Sequence, residues 1–222
     1  MTTSTTATTT GTASALFSDV IRERRSVRQY DTSVRLTHEE IKKLLAEATL
    51  APSSSNVQPW RFLVIETEEL KAKLLPIAWN QSQVTEAAAV IAVLGDTEGY
   101  KRAEEIYGEA AKRGYMPEET AAMFIKNTTN MYGSLPKEVA HKIIHTDGGL
   151  VSQQLMLVAR AHGYDTVPMG GYDAAKFKEA FGVSDRYIPI MLIALGKAAK
   201  PGHPTTRLPI DTITFFNDMP AE

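Results

Sequence analysis

The spacing of four short apolar runs constrains the fold of this chain more than any other feature. Phe62–Glu66, Val90–Leu94, Asp165–Met169 and Tyr187–Leu195 have strand length and strand-like content. Helical patterns of varied length separate them, and helix also fills the residues before the first run. Ala13–Arg25 places Leu16, Phe17, Val20 and Ile21 on one face. Thr37-His38-Glu39-Glu40 is a capping box that opens a second helix, with Ile41, Leu44, Leu45 and Ala48 inward. A doubly wound parallel sheet that held a dinucleotide would need a glycine-rich turn after its first strand, and none follows Phe62–Glu66. The pattern predicts an α+β domain, a small mixed sheet wrapped by helices.

The remaining segments fill in around that sheet. Glu68–Ala78 reads as a helix. Residues 97–135 read as two helices, broken at Gly114 and Pro117, that form a cap. Tyr107, Tyr115, Phe124 and Tyr132 lie in this cap; such spacing ordinarily marks core, and the alternative is that they line a substrate pocket. Pro136 starts a long helix that stops at Gly163. Its mid-helix Gly148-Gly149 costs about 1 kcal/mol per glycine, which predicts close packing against another helix, in this chain or a partner. Asp173 caps a helix ending at Gly182. Residues 1–12 are Thr-rich and read as a flexible tail. Residues 13–222 then make one domain, with the cap at about 97–135 and a Pro- and Thr-rich tail at about 200–222 that ends in an apolar patch at Ile213, Phe215 and Phe216.

Composition removes several functions. A net charge of −2 gives no case for nucleic acid, which asks for a basic surplus. The absence of cysteine excludes disulfides, thiolate metal sites and cysteine nucleophiles, and fits a cytoplasmic protein. The longest apolar runs, Ala87–Leu94 and Ile188–Leu195, are far short of a membrane span. His141 and His145 have i, i+4 spacing, but no glutamate follows His141 and no third ligand stands out, so no metal site is expected. No Gly-x-Ser-x-Gly elbow or phosphate-binding Walker loop occurs.

Two segments carry chemistry. Arg24-Arg25-Ser26-Val27-Arg28 sets guanidinium groups around one hydroxyl, and in an extended stretch Arg24, Ser26 and Arg28 point the same way. Pro52-Ser53-Ser54-Ser55-Asn56-Val57-Gln58 offers hydroxyls and carboxamides that can read the carbonyl and N–H edge of a flat heterocycle. An anion clamp followed by such a loop suits a ligand with a phosphate at one end and a heteroaromatic at the other, the shape of flavin mononucleotide. Asn80, Gln81 and Gln83 repeat the amide pattern, and Pro168-Met169-Gly170-Gly171 lets backbone approach a ligand closely. Each segment also has a plain reading: solvated arginines, a polar turn before Pro59, a tight glycine turn. Arg207 stands isolated in the tail.

In their order these segments resemble the FMN-dependent nitroreductase family over nearly the whole chain. The resemblance implies a mixed α+β fold assembled as an intertwined homodimer, with an FMN at each interface site and the tail embracing the partner. Arg24, Arg25, Ser26 and Arg28 would hold the FMN phosphate, helped by Arg207. Pro52, Ser53, Ser54, Ser55, Asn56 and Gln58 would lie along the isoalloxazine and ribityl chain across the interface. Asn80 and Gln83 match positions at the flavin ring or ribityl hydroxyls, and Pro168, Met169, Gly170 and Gly171 match the segment beneath the ring. The implied activity is reduction of nitroaromatics, quinones or related acceptors by NADH or NADPH, in a ping-pong hydride transfer through flavin N5. The flavin carries that chemistry, so no catalytic side chain is named. Some members place a glutamate at the position of Gly170 and a lysine at that of Thr205. A reductive dehalogenase or flavin-fragmenting enzyme of the same fold, and a non-enzymatic FMN-binding sensor, are the alternatives.

Overall fold

The computed structural model describes residues 17–219. The Thr-rich segment 1–12 and positions 13–16 of the helix expected from Ala13 lie outside the described residues. In chain order the elements are α1 (Phe17–Glu23), α2 (His38–Ala48), β1 (Trp60–Ile65), α3 (Glu68–Ile77), α4 (Gln83–Glu86), β2 (Ala89–Asp96), α5 (Ala103–Lys112), α6 (Glu118–Ser134), α7 (Lys137–Ala161), β3 (Asp165–Met169), α8 (Ala174–Phe181) and β4 (Tyr187–Gly196). The strands form one sheet in the order β1-β2-β4-β3, and every pairing is antiparallel. That is the expected α+β arrangement, and it removes the parallel doubly wound reading.

Residue alternation along β2 decides the layers. Val90, Ala92 and Leu94 join a core cluster with Leu74 and Ile77 of α3 and Phe177 of α8. Ile91 and Val93 point the other way, to Leu44 and Ala48 of α2 and Val151, Leu155 and Ala159 of α7. Every residue of β2 is buried, so the strand is apolar on both faces. Fully burying a Val, Leu or Ile is worth about 1.5–3 kcal/mol, and this strand repeats that gain on two sides. A separate small cluster of Ala103, Tyr107 and Ala121 joins α5 to α6.

Helix ends follow their caps. The Thr37 hydroxyl accepts from the Glu40 N–H while Glu40 reaches back to the Thr37 N–H, completing the capping box. Asp173 accepts from the Lys176 N–H to start α8, and Gly182 closes it at φ 63°, a left-handed angle that glycine adopts without penalty. The short α4 escapes the sequence reading because four residues carry no periodicity.

Within this chain the close packing expected at Gly148 is against a strand, not a helix: a β-carbon there would stand 2.3 Å from Cδ1 of Ile190, so the residue lets α7 settle onto β4. Gly149 has open space where its side chain would be. On the apolar face of α1, Val20 is buried, but Phe17 is 69% exposed and Ile21 is exposed too. Leu208, Ile210, Ile213, Phe216 and Met219 of the C-terminal segment are likewise exposed. The described residues leave that stripe largely uncovered.

Candidate active site

Arg24–Tyr30 runs extended between β3 and the C-terminal segment. Ser26 bridges Thr166, the Val27 N–H donates to the Thr166 carbonyl at 3.1 Å, and Tyr30 bridges Ala198. Val27 and Tyr30 are buried, which turns Ser26 and Arg28 outward. The C-terminal segment then crosses the arginine stretch at Gly202. A β-carbon there would stand 2.6 Å from Cβ of Arg25 and 2.9 Å from the Ser26 carbonyl oxygen, so only glycine permits the crossing.

That crossing divides the expected clamp. Arg24, Arg25 and Arg207 line one cleft of ≈ 490 Å³ with Gln153 and Leu157 of α7 and Thr205. Ser26 and Arg28 line a second, of ≈ 360 Å³, with Lys200, Gly202 and His203. Arg25 donates to the carbonyls of Arg22 and Arg24, and Arg207 to the Thr205 hydroxyl and the Thr206 carbonyl. Among the described residues, Arg24, Arg25, Arg28 and Arg207 make no ion pair with a carboxylate. Burial, and then the like charges of Arg207 and Arg25, lower the pKa of Arg24. Converging cations without a counter-charge make a receptor for an anion.

A second group of candidates meets at the end of β3. Trp79 and Asn80 both have left-handed backbone, at φ 55° and 57°. The Trp79 indole, 66% exposed, lies against Gly171, where a β-carbon would stand 2.7 Å from Cζ3. The Gln81 amide donates to the Gly171 carbonyl at 2.9 Å. Gln83 is buried, its amide committed to Gln81 Oε1 and Met169 Sδ. Asn80 and Gly170 are therefore the exposed members, while Gln83 and Met169 support them from below. Pro168 sits within β3, paired with Ile193.

The Ser/Asn loop is a third group. Ser55, Asn56 and Gln58 all have left-handed backbone, at φ 48°, 50° and 47°, each costing on the order of 1–3 kcal/mol. Side chains from three directions hold the loop. The N–H and hydroxyl of Ser54 both donate to Oδ1 of Asp147, at 3.0 and 3.1 Å. The Tyr107 hydroxyl donates to the Ser55 carbonyl at 2.5 Å, and the Tyr132 hydroxyl to the Ser55 hydroxyl at 3.3 Å. Within the loop the Gln58 N–H donates to the Ser53 hydroxyl, while Pro52 is exposed. Tyr107 is buried and stacks on Phe124 at 5.4 Å between centroids. Tyr132 lines a cleft of ≈ 550 Å³ with Tyr100, Lys137, His141 and Tyr187, whereas Tyr115 is 74% exposed. No cleft described above collects all four cap aromatics.

Sequence reading missed Asp147 and Trp79 as contributors. Asp147 had a signal: it falls between Ile144 and Val151 on the buried stripe of α7, where an acid needs a partner. The arginine cleft and the Ser/Asn loop touch the same helix at different heights. From Asp147 to Leu157 is about 15 Å along the axis.

Residues 21–197 match the sequence model of the Nitroreductase family. The chain is 52% identical over 199 residues to YdgI of Bacillus subtilis strain 168, provisionally named an NAD(P)H nitroreductase, covering 89% of this chain and 95% of that one. It is 35% identical over 201 residues to the CLA biosynthesis enone reductase of Lactiplantibacillus plantarum, covering 89% and 93%. A crystal structure of a provisionally assigned nitroreductase from Exiguobacterium sibiricum, in complex with FMN, superposes with a TM-score of 0.88 at 49% identity, covering 91% of this chain and 98% of that one.

Proposed function

The chain belongs to the Nitroreductase family, and on that premise we propose that it is an FMN-dependent oxidoreductase that uses NAD(P)H to reduce nitroaromatics, quinones or related acceptors. The single observation that carries the cofactor reading is the arginine cleft. Arg24, Arg25 and Arg207 converge with no carboxylate among them, and a phosphate supplies the missing charge. The neighbouring donors fit the rest of the molecule. Ser26 and Arg28 add a hydroxyl and a cation from the adjoining cleft.

When bound, FMN supplies the two-electron chemistry that links NAD(P)H to the acceptor. The chain's own residues bind and orient. Arg24, Arg25 and Arg207 anchor the phosphate end, and Asn80 with the Gly170-Gly171 backbone meets the ring. Gln81 and Gln83 keep that turn in place through Gly171 and Met169. The exposed Trp79 indole gives the ring's surroundings a flat apolar wall that excludes water. Ser53–Asn56 and Gln58 supply hydroxyls and amides for the ribityl chain and the ring edge.

The reading includes a homodimer in which one protomer's Ser/Asn loop meets the partner's arginine cleft. Two features support it. The loop and the cleft lie at different heights on α7, and α1 with residues 208–219 exposes apolar side chains that the other described residues do not cover. The 35% identity to an enone reductase adds conjugated ketones to the acceptors worth assaying.

An absorbance spectrum of the purified protein, before and after anaerobic NADPH or NADH, tests the assignment. Flavin bands that bleach and then recover on adding a nitroaromatic, a quinone or an enone are expected. Bands that neither nucleotide bleaches indicate a binding or sensor protein. A colourless protein that takes up no FMN overturns the reading.

A further inference from the structure

We infer that Asp147 is a positioning residue: its buried carboxyl fixes the shape of the Ser53–Gln58 loop through Ser54, although the two residues stand 93 apart in the chain. The use of that loop for flavin rests on the function proposed above; the inference about its shape does not.

Asp147 is 1% exposed and lies on α7, one residue before the glycine that lets the helix settle on Ile190. Its Oδ1 takes both hydrogen bonds that Ser54 can donate, one from the backbone and one from the hydroxyl. Its Oδ2 is buried with no hydrogen-bond partner among the described residues. No arginine or lysine pairs with it among the described residues, unlike the other fully buried carboxyl, Asp96. A buried carboxylate with one bare oxygen and no cation is poorly stabilised. The neutral acid removes that charge and leaves Oδ1 as a carbonyl acceptor for Ser54. Burial raises the carboxyl pKa in the same sense, partly offset by the two bonds from Ser54.

The loop needs such a fastening. Three of its residues, none of them glycine, are held at positive φ just beyond Ser54, so its shape is unfavourable on its own. Tyr107 pins the Ser55 carbonyl from the cap side, and Asp147 pins the preceding residue from the core side. What Ser54 uses at Asp147 is an acceptor, and a charge is not required for it. Asparagine preserves its carbonyl acceptor and its size, whereas leucine preserves only the size.

The test compares wild type, Asp147→Asn, Asp147→Leu and Ser54→Ala by residue-resolved amide hydrogen exchange without flavin, and by FMN titration. Asp147→Leu is expected to speed exchange at Ser54 and its loop neighbours roughly tenfold or more, with β2 and β4 unchanged, and to weaken FMN binding by a similar factor. Asp147→Asn restores both to within about threefold of wild type. Ser54→Ala, which keeps the backbone bond, has a smaller effect and adds nothing in the Asp147→Leu background. Unchanged loop exchange in Asp147→Leu overturns the inference, as does an Asp147→Asn variant as impaired as Asp147→Leu. If Asp147→Leu does not fold, Asp147→Asn and Ser54→Ala still decide: near-wild-type exchange in the first with faster loop exchange in the second supports the inference, and any other pairing overturns it. If loop exchange behaves as expected but wild type binds no FMN, the flavin reading fails and the positioning role stands.

Discussion

Two arginine clusters in this protein are built from the same side chain to opposite ends. At the end of β2, Asp96 is wholly buried and takes hydrogen bonds from Arg61 at 2.7 Å and from Arg186 at 2.6 and 2.8 Å, with a fourth from the Glu98 N–H at 3.0 Å. Every lone pair and both cations are used internally. At the other cluster Arg24, Arg25 and Arg207 converge with no carboxylate, and their like charges work against one another. A protein gains nothing in stability from the second arrangement, so its cost has to be offset by something that arrives from outside. The completeness of the counter-charge, more than the number of arginines, separates a structural cluster from a binding one.

Breaking the closed cluster has the largest expected effect. Asp96→Asn leaves two guanidinium groups short of their counter-charge and should cost about 3–5 kcal/mol by chemical denaturation. Burial alone pushes the Asp96 carboxyl up, but the bonds from Arg186 and Glu98 and the charge of Arg61 more than reverse this and hold it below its ordinary value. A lowered native pKa stabilises the fold above the unfolded-state value and loses that contribution as pH falls through the native one. The gap between wild type and Asp96→Asn should therefore be widest near neutral pH and narrow in acid. A gap that does not change with pH would mean that the carboxylate charge contributes nothing.

Opening the second cluster further should act on binding instead. Arg24→Ala or Arg207→Ala removes a charge-assisted bond to phosphate worth about 1.5–3 kcal/mol, a loss of roughly tenfold to more than a hundredfold in FMN affinity by fluorescence titration. The flavin-free protein should keep its melting temperature or gain slightly, because a like-charge contact has gone. Loss of stability in step with loss of affinity would place these arginines with Arg61 and Arg186 as structural groups.

What the sequence discloses and what it hides divide along the range of the interactions involved. The β2 strand was legible because a short apolar run is a local signal, and so were the Thr37, Asp173 and Gly182 caps, each defined within four residues. The Arg24–Arg28 motif announced its chemistry but not its geometry. Its division into two clefts depends on Gly202, some 175 residues away, passing over Ser26. Asp147 shows the same limit, since nothing near it in the chain names Ser54 as its partner. The apolar face of α1 was legible as apolar, but periodicity marks a face that needs cover without saying which chain supplies it.

The smallest effect gives the finest comparison of the two clusters. If the arginine cleft is a phosphate receptor, inorganic phosphate should occupy it in the flavin-free protein and stabilise the native state by RT ln(1 + [L]/Kd). At ten times its dissociation constant that is about 1.4 kcal/mol, or a rise in melting temperature of roughly 3–6 °C for a chain of this size. Phosphate also strengthens any folded protein through its exclusion from the surface, so a rise by itself decides nothing. The exclusion effect, however, is shared by variants of equal surface, whereas occupancy of the cleft is not. Melting curves in phosphate and in chloride at matched ionic strength, for wild type, Arg24→Ala and Arg61→Ala, separate the two contributions. Arg61→Ala should start lower and still show the full phosphate increment, because its arginine serves Asp96. Arg24→Ala should start near wild type and lose most of the increment. Equal increments in all three proteins would show that phosphate acts on the general surface, and the open cluster would then lose its strongest claim to be a receptor.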